Sequence, residues 1–127
     1  MKAKEIKVKN APPSAGPYSV GIAFGKLVFC SGQIGLDPKT GMLLNQDIET
    51  ETEQTFKNLS AVLTSAKANF EKVLKVEVFL TDINDFSKMN IIYAKYFSKG
   101  VKPVRTTVEV SKLPKDAHIE IACIAYI

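Results

Sequence analysis

Leu74-Lys75-Val76-Glu77-Val78-Phe79-Leu80-Thr81-Asp82-Ile83-Asn84-Asp85-Phe86 is the stretch on which the fold turns. In its first half Leu74, Val76, Val78 and Leu80 alternate with Lys75, Glu77 and Phe79. That two-residue period belongs to a strand with one buried face. The second half supplies Asp82 to Asp85, whose short polar side chains suit a helix N-terminus. Phe86, Met89, Tyr93 and Tyr96 or Phe97 then recur at helical spacing and form one apolar face. A strand running straight into a helix therefore occupies the middle of the chain.

Toward the N-terminus, Thr50-Glu51-Thr52-Glu53 has the spacing of a capping box, and Phe56, Leu59, Leu63 and Ala66 continue as an apolar stripe. The pattern predicts a helix from about Thr50 to Lys67. Before it, Gly32 and Gly35 and then Asp37-Pro38-Lys39-Thr40-Gly41 mark loops. Tyr18 to Phe24 and Leu27 to Ser31 flank Gly25-Lys26 as a β-hairpin. Asn10 to Pro17 carries three prolines, which fix φ and remove backbone donors, so it is irregular. Ile6 and Val8 alternate with lysines as a short edge strand.

Toward the C-terminus, Val104 to Val110 and His118 to Ile127 read as two strands joined by Ser111 to Ala117. The order β-β-β-α-β-α-β-β predicts an α+β domain over residues 1–127. Its two helices pack on one face of a largely antiparallel or mixed sheet. A chain of 127 residues with 46% hydrophobic and 24% charged side chains is long enough for one packed core without disulfides or metal.

The net charge of +4 is a lysine excess, with Lys2, Lys4, Lys7 and Lys9 crowding the first ten residues. Such a run attracts phosphate, yet terminal lysines are usually just solvated. Cys30 and Cys123 sit in apolar runs and read as free buried thiols. His118 is the one histidine, too few for a metal site with those cysteines. No apolar run reaches membrane-span length, and Met1 to Asn10 lacks the apolar centre of a signal peptide, so a cytoplasmic protein is expected.

The last two strands hold the chemistry. Val104, Thr106, Val108 and Val110 look like a core face, leaving Arg105, Thr107 and Glu109 on the other. In the final strand Ile119, Ile121, Cys123, Ala125 and Ile127 look like core, opposite His118, Glu120, Ala122, Ile124 and Tyr126. Paired as an antiparallel hairpin, the two strands would set Arg105 opposite Glu120 and Thr107 opposite His118. Two readings of that pair stand. It is a cross-strand ion pair, or Arg105 offers its planar fork to a ligand carboxylate or phosphate while Glu120 manages a proton or a water. His118 reads as incidental, and the Tyr93, Tyr96 and Phe97 cluster as packing. No P-loop, dinucleotide fingerprint or nucleophile elbow is present.

Several collinear motifs carry a resemblance. They are Asn10-Ala11-Pro12, Gly16-Pro17-Tyr18-Ser19, Ser31-Gly32-Gln33-Ile34, Asp37 to Gly41, Phe79 to Phe86, Asn90 with Tyr93, Pro103 to Val110 and Leu113 to Ile121. Together they resemble the RidA (YjgF) family along nearly the whole chain. The resemblance implies a chorismate-mutase-like fold assembled as a homotrimer, with sites in clefts between subunits. It implies hydrolysis of 2-imino acids and their enamines, such as 2-iminobutanoate and 2-iminopropanoate, to 2-oxo acids and ammonia without cofactor or metal. Carried over by position, Arg105 binds the substrate carboxylate and Glu120 serves the water or the nitrogen proton. Tyr18, Ser31, Gly32, Asn90 and Thr107 match other cleft positions. Thr107 stands where many deaminase members have cysteine. Two rival readings share the same clefts: an endoribonuclease or translation inhibitor, to which nucleic acid is the partner, and a non-catalytic trimer that binds small carboxylates.

Overall fold

The computed structural model describes residues 1–9 and 11–127. Asn10, part of the proline-rich segment and of the first motif above, lies outside the described residues. The strands are β1 (Lys4–Glu5), β2 (Gly21–Phe24), β3 (Leu27–Gln33), β4 (Val73–Leu80), β5 (Val104–Glu109) and β6 (Ile119–Tyr126). The helices are α1 (Ile48–Ser65) and α2 (Phe86–Tyr96). The architecture is α+β, as the patterning predicts.

The sheet runs β1-β2-β3-β6-β4-β5. The predicted β2–β3 hairpin forms, with Gly25 at φ +61° in its turn. The other predicted hairpin does not. β5 pairs with β4 in parallel, and β6 lies antiparallel between β3 and β4. Composition explains the exchange. Apart from Glu120, β6 carries small or apolar groups and the ring of Tyr126 and suits the sheet centre, whereas β5 carries Arg105, Thr106, Thr107 and Glu109 among its six residues and takes the edge. The α2 crossover returns β5 beside β4 in the same direction, as parallel pairing requires.

Arg105 is accordingly opposite Val76, and Glu120 is opposite Phe79. The predicted face of β5 is reversed as well. Val76, Val78 and Leu80 are fully buried beneath the helices, so their row partners Arg105, Thr107 and Glu109 face the helical side. Val104, Thr106 and Val108 face the open side of the sheet and are exposed. β6 follows its prediction, with Ile119, Ile121, Cys123 and Ala125 buried, although Ile127 beyond its end is exposed.

The core lies between sheet and helices. Phe56, Leu59, Val62 and Leu63 of α1 meet Val28, Val76, Val78, Ile119 and Ile121, all buried. Each contributes about 1.5–3 kcal/mol by leaving water. Cys30 and Cys123 are cross-strand partners within this core, both free and buried, as predicted. Their mutual contact and burial push the Cys123 thiol up.

Several boundaries differ from the sequence reading: β2 begins at Gly21 rather than Tyr18, and β3 runs on to Gln33 rather than ending at Ser31. α1 begins at Ile48 because Asp47, not Thr50, is its cap, accepting the Thr50 N–H at 2.7 Å. Its acid Glu51 is turned inward instead. The Glu51 carboxylate is buried, accepts the His118 backbone N–H at 2.6 Å and lies 2.8 Å from His118 Nδ1. His118 is therefore tied to α1, far from the predicted place opposite Thr107. The first strand is Lys4–Glu5, two residues before Ile6, whose N–H still reaches the Gly21 carbonyl at 2.9 Å.

Candidate active site

The candidate residues fall into two groups on two sides of the sheet. The first gathers around Arg105. Because α2 crosses behind β5, its residues Phe86, Asn90 and Tyr93, at i, i+4 and i+7, come to the guanidinium together. Nη1 of Arg105 donates to Asn90 Oδ1 at 2.8 Å. Its Cζ lies 4.6 Å from the Tyr93 ring centre and 5.3 Å from that of Phe86. Among the described residues no carboxylate comes within 4.0 Å of the fork. The cross-strand ion pair with Glu120 is therefore absent. A cavity of about 400 Å³ opens beside the fork, lined by Asn90, Tyr93, Phe97, Lys102, Pro103 and Arg105. Thr107 follows on the same face of β5, and its buried hydroxyl has no hydrogen-bond partner among the described residues.

The second group gathers around Glu120 on the open face. A break in register between Cys30 and Gln33 places Ser31 and Gly32 at a bulge-like irregularity within strand β3. Ser31 Oγ donates to the Ser19 carbonyl at 2.6 Å, which ties the Tyr18 segment to β3. Gly32 leaves room for the Glu120 side chain: a Cβ there would crowd the carboxyl group, which would have to swing away. Glu120 is half-buried, and that desolvation pushes its carboxyl above the usual range. It borders a cavity of about 260 Å³ lined also by Tyr18, Gly32, Ile34, Pro38 and Pro114. Tyr18 stands half-exposed at the mouth, its hydroxyl accepting the Ala15 N–H at 3.3 Å.

The structure thus brings Arg105 and Asn90 to one cavity, with Thr107 next along the same strand face, and Tyr18, Gly32 and Glu120 to another, with Ser31 adjoining Gly32. It does not bring Arg105 to Glu120 within one chain. Among the described residues no three His, Cys, Asp or Glu side chains converge as metal ligands. Among the described residues no helix is long and apolar enough to cross a membrane. Sequence reasoning missed Phe86 and Tyr93 as neighbours of the guanidinium. Their seven-residue spacing around Asn90 was visible, but it reads equally as a packing stripe.

This arrangement comes with known kin. The endoribonuclease L-PSP family model matches residues 8–127. The chain belongs to this family, the RidA (YjgF) proteins. A RutC family protein of Pyrococcus horikoshii is 50% identical over 121 residues, covering 95% of each chain. Reactive Intermediate Deaminase A of Arabidopsis thaliana, a chloroplast protein, is 42% identical over 125 residues, 98% of this chain and 66% of that one. The crystal structure of YyfA from Yersinia pestis, a Rid family protein, superposes with a TM-score of 0.96 at 46% identity, covering 99% of this chain and 100% of that one. The Rid fold is thus shared over essentially the whole length.

Proposed function

We propose that this Rid protein hydrolyses 2-imino acids, the class of 2-iminobutanoate and 2-iminopropanoate, and that it does so as a homotrimer. One observation carries the reading. Arg105 is a guanidinium beside a cavity, steadied by an amide and two rings, with no acid to neutralise it. A small carboxylate is the ligand such a fork suits, through two parallel charge-assisted hydrogen bonds. The name of the 42%-identical Arabidopsis relative supports the deaminase class.

The split between the two groups is what a shared site between copies requires. Glu120 stands on the open face, and Arg105 on the edge strand. On that open face Phe24, Leu27, Phe29, Val104, Val108 and Tyr126 are each more than a third exposed. An apolar sheet face of this extent calls for a cover. If the edge of one copy meets the open face of the next, Arg105 of the first joins Glu120 of the second. Repeated head to tail, the contact closes a ring.

In that site the carboxylate anchor fixes the imine carbon, and proximity lowers the barrier. A water oxygen bonds to the imine carbon while the C=N electron pair moves to nitrogen. Glu120 takes the water proton and delivers it to that nitrogen. Glu120, ionised again, takes the hydroxyl proton of the resulting carbinolamine as that O–H pair forms the C=O bond and the C–N bond breaks; ammonia carries the proton away as ammonium, leaving the 2-oxo acid and the free carboxylate. No covalent enzyme intermediate is needed, because the protonated imine is already electrophilic.

The test couples a threonine dehydratase to the protein and follows decay of 2-iminobutanoate. Arg105→Ala is expected to lower kcat/KM by about 10²-fold or more through loss of the charge-assisted bonds. Arg105→Lys is expected to fail similarly, since an ammonium lacks the fork. A wild-type rate in Arg105→Ala would remove the anchor from the account.

A further inference from the structure

The guanidinium presents a problem that Asn90 alone does not solve. An arginine side chain is long, and binding a carboxylate costs rotamer freedom unless the fork is already held. The one hydrogen bond to Asn90 fixes a single nitrogen and leaves the plane of the group free to turn. A carboxylate neighbour would hold the plane, but it would spend the N–H groups that a ligand needs.

Resting on the carboxylate-anchor reading above, we infer that Phe86 and Tyr93 are positioning residues that orient the Arg105 fork for its ligand. Aromatic faces attract the cation through their quadrupoles and leave its N–H edge available. Both rings lie at cation–π distance, 5.3 Å for Phe86 and 4.6 Å for Tyr93. The Tyr93 ring is itself held from behind. Its centre lies 4.5 Å from that of Phe97 and 5.9 Å from that of the fully buried Phe56. Phe56 stacks on Tyr96 at 4.5 Å, and Tyr96 meets Phe70 at 5.1 Å. A continuous aromatic cluster therefore runs from the core beneath α1 to the fork, so a surface arginine inherits the rigidity of the interior. Burial and the adjoining cation act in opposite senses on the Tyr93 phenol, and burial prevails, raising it. Tyr93 thus stays neutral beside Arg105 and contributes its ring rather than a charge.

The experiment compares Phe86→Leu, Tyr93→Leu and Tyr93→Phe with wild type, with Arg105→Ala as reference. It reads kcat and KM for 2-iminobutanoate and, separately, the Kd of the product 2-oxobutanoate by calorimetric titration. The two leucine variants are expected to raise KM and Kd together by about 3- to 10-fold, with kcat within about twofold. Tyr93→Phe, which keeps the ring, should keep both constants near wild type. Phe86 is 37% exposed at the start of α2, so Phe86→Leu carries the test even if Tyr93→Leu disturbs the core. Unchanged KM and Kd in Phe86→Leu, or a fall in kcat at constant KM, would overturn the positioning role. So would a Tyr93→Phe variant as weak as Tyr93→Leu. If Arg105→Ala itself binds 2-oxobutanoate like wild type, the anchor reading fails instead, and the two failures are told apart.

Discussion

Arg105 and Glu120 border separate cavities, the first steadied by Asn90, Phe86 and Tyr93, the second half-buried beside Gly32. What alternation supplied was two faces per strand; it did not say which face meets the helices. On β5 the apolar set Val104, Thr106 and Val108 looked like core and turned out to be exposed. The error has a physical cause. In the proposed ring this face packs against another copy, and such a face carries the same apolar signature as one that packs inside its own chain. Glu120 shows a second limit. Its desolvation comes from the Tyr18 segment and the Gly32 turn folding over it, which are non-local contacts. The raised carboxyl gives a prediction. If Glu120 acts as a base, its ionised form is the active one, so kcat climbs as pH rises through its elevated pKa. Glu120→Gln is expected to lower kcat by about 10²–10⁴-fold, to change KM little, and to abolish that acidic limb. A pH–rate profile checks it, and an unaltered limb in Glu120→Gln would assign the limb to another group.

At the scale of elements, existence, type and order were all legible, because the periods of two and 3.6 are strong over these lengths. The pairing of β5 and β6 was not. Their seven-residue connection looked like a hairpin loop, but it contains a turn with Lys115 at φ 57° and Asp116 at φ 59°. It leads β6 away from β5 into the centre of the sheet. The start of α1 was misplaced because Asp47 and Thr50 are both capping types, and the backbone decides between them. Asp47 at the cap is held below the usual carboxylate range by the Thr50 backbone N–H. A depressed folded-state pKa means the contribution is present above the unfolded pKa and lost as pH falls through the folded one. Asp47→Ala is therefore expected to lower the urea midpoint modestly at pH 7. Its gap from wild type should close on acidification, as urea titrations at pH 7 and near pH 3 can show. A gap that stays constant with pH would mean the charge of Asp47 contributes nothing.

For the whole molecule, the two sides of the sheet differ. One side of its sheet is packed under two helices, and the other exposes aromatic and branched side chains beside Glu120. The family resemblance, and not any local pattern, carries the proposal of sites between subunits, and in that proposal the separation of Arg105 from Glu120 is bridged by a second copy. The account therefore stands or falls on whether the two residues act across a contact. Arg105→Ala and Glu120→Ala protomers, each inactive alone, can be refolded together at equal concentration and assayed on 2-iminobutanoate. In a head-to-tail ring a working site forms wherever an intact Arg105 meets an intact Glu120, so random mixing should restore about a quarter of wild-type activity. A mixture as inactive as its separate components would contradict the account.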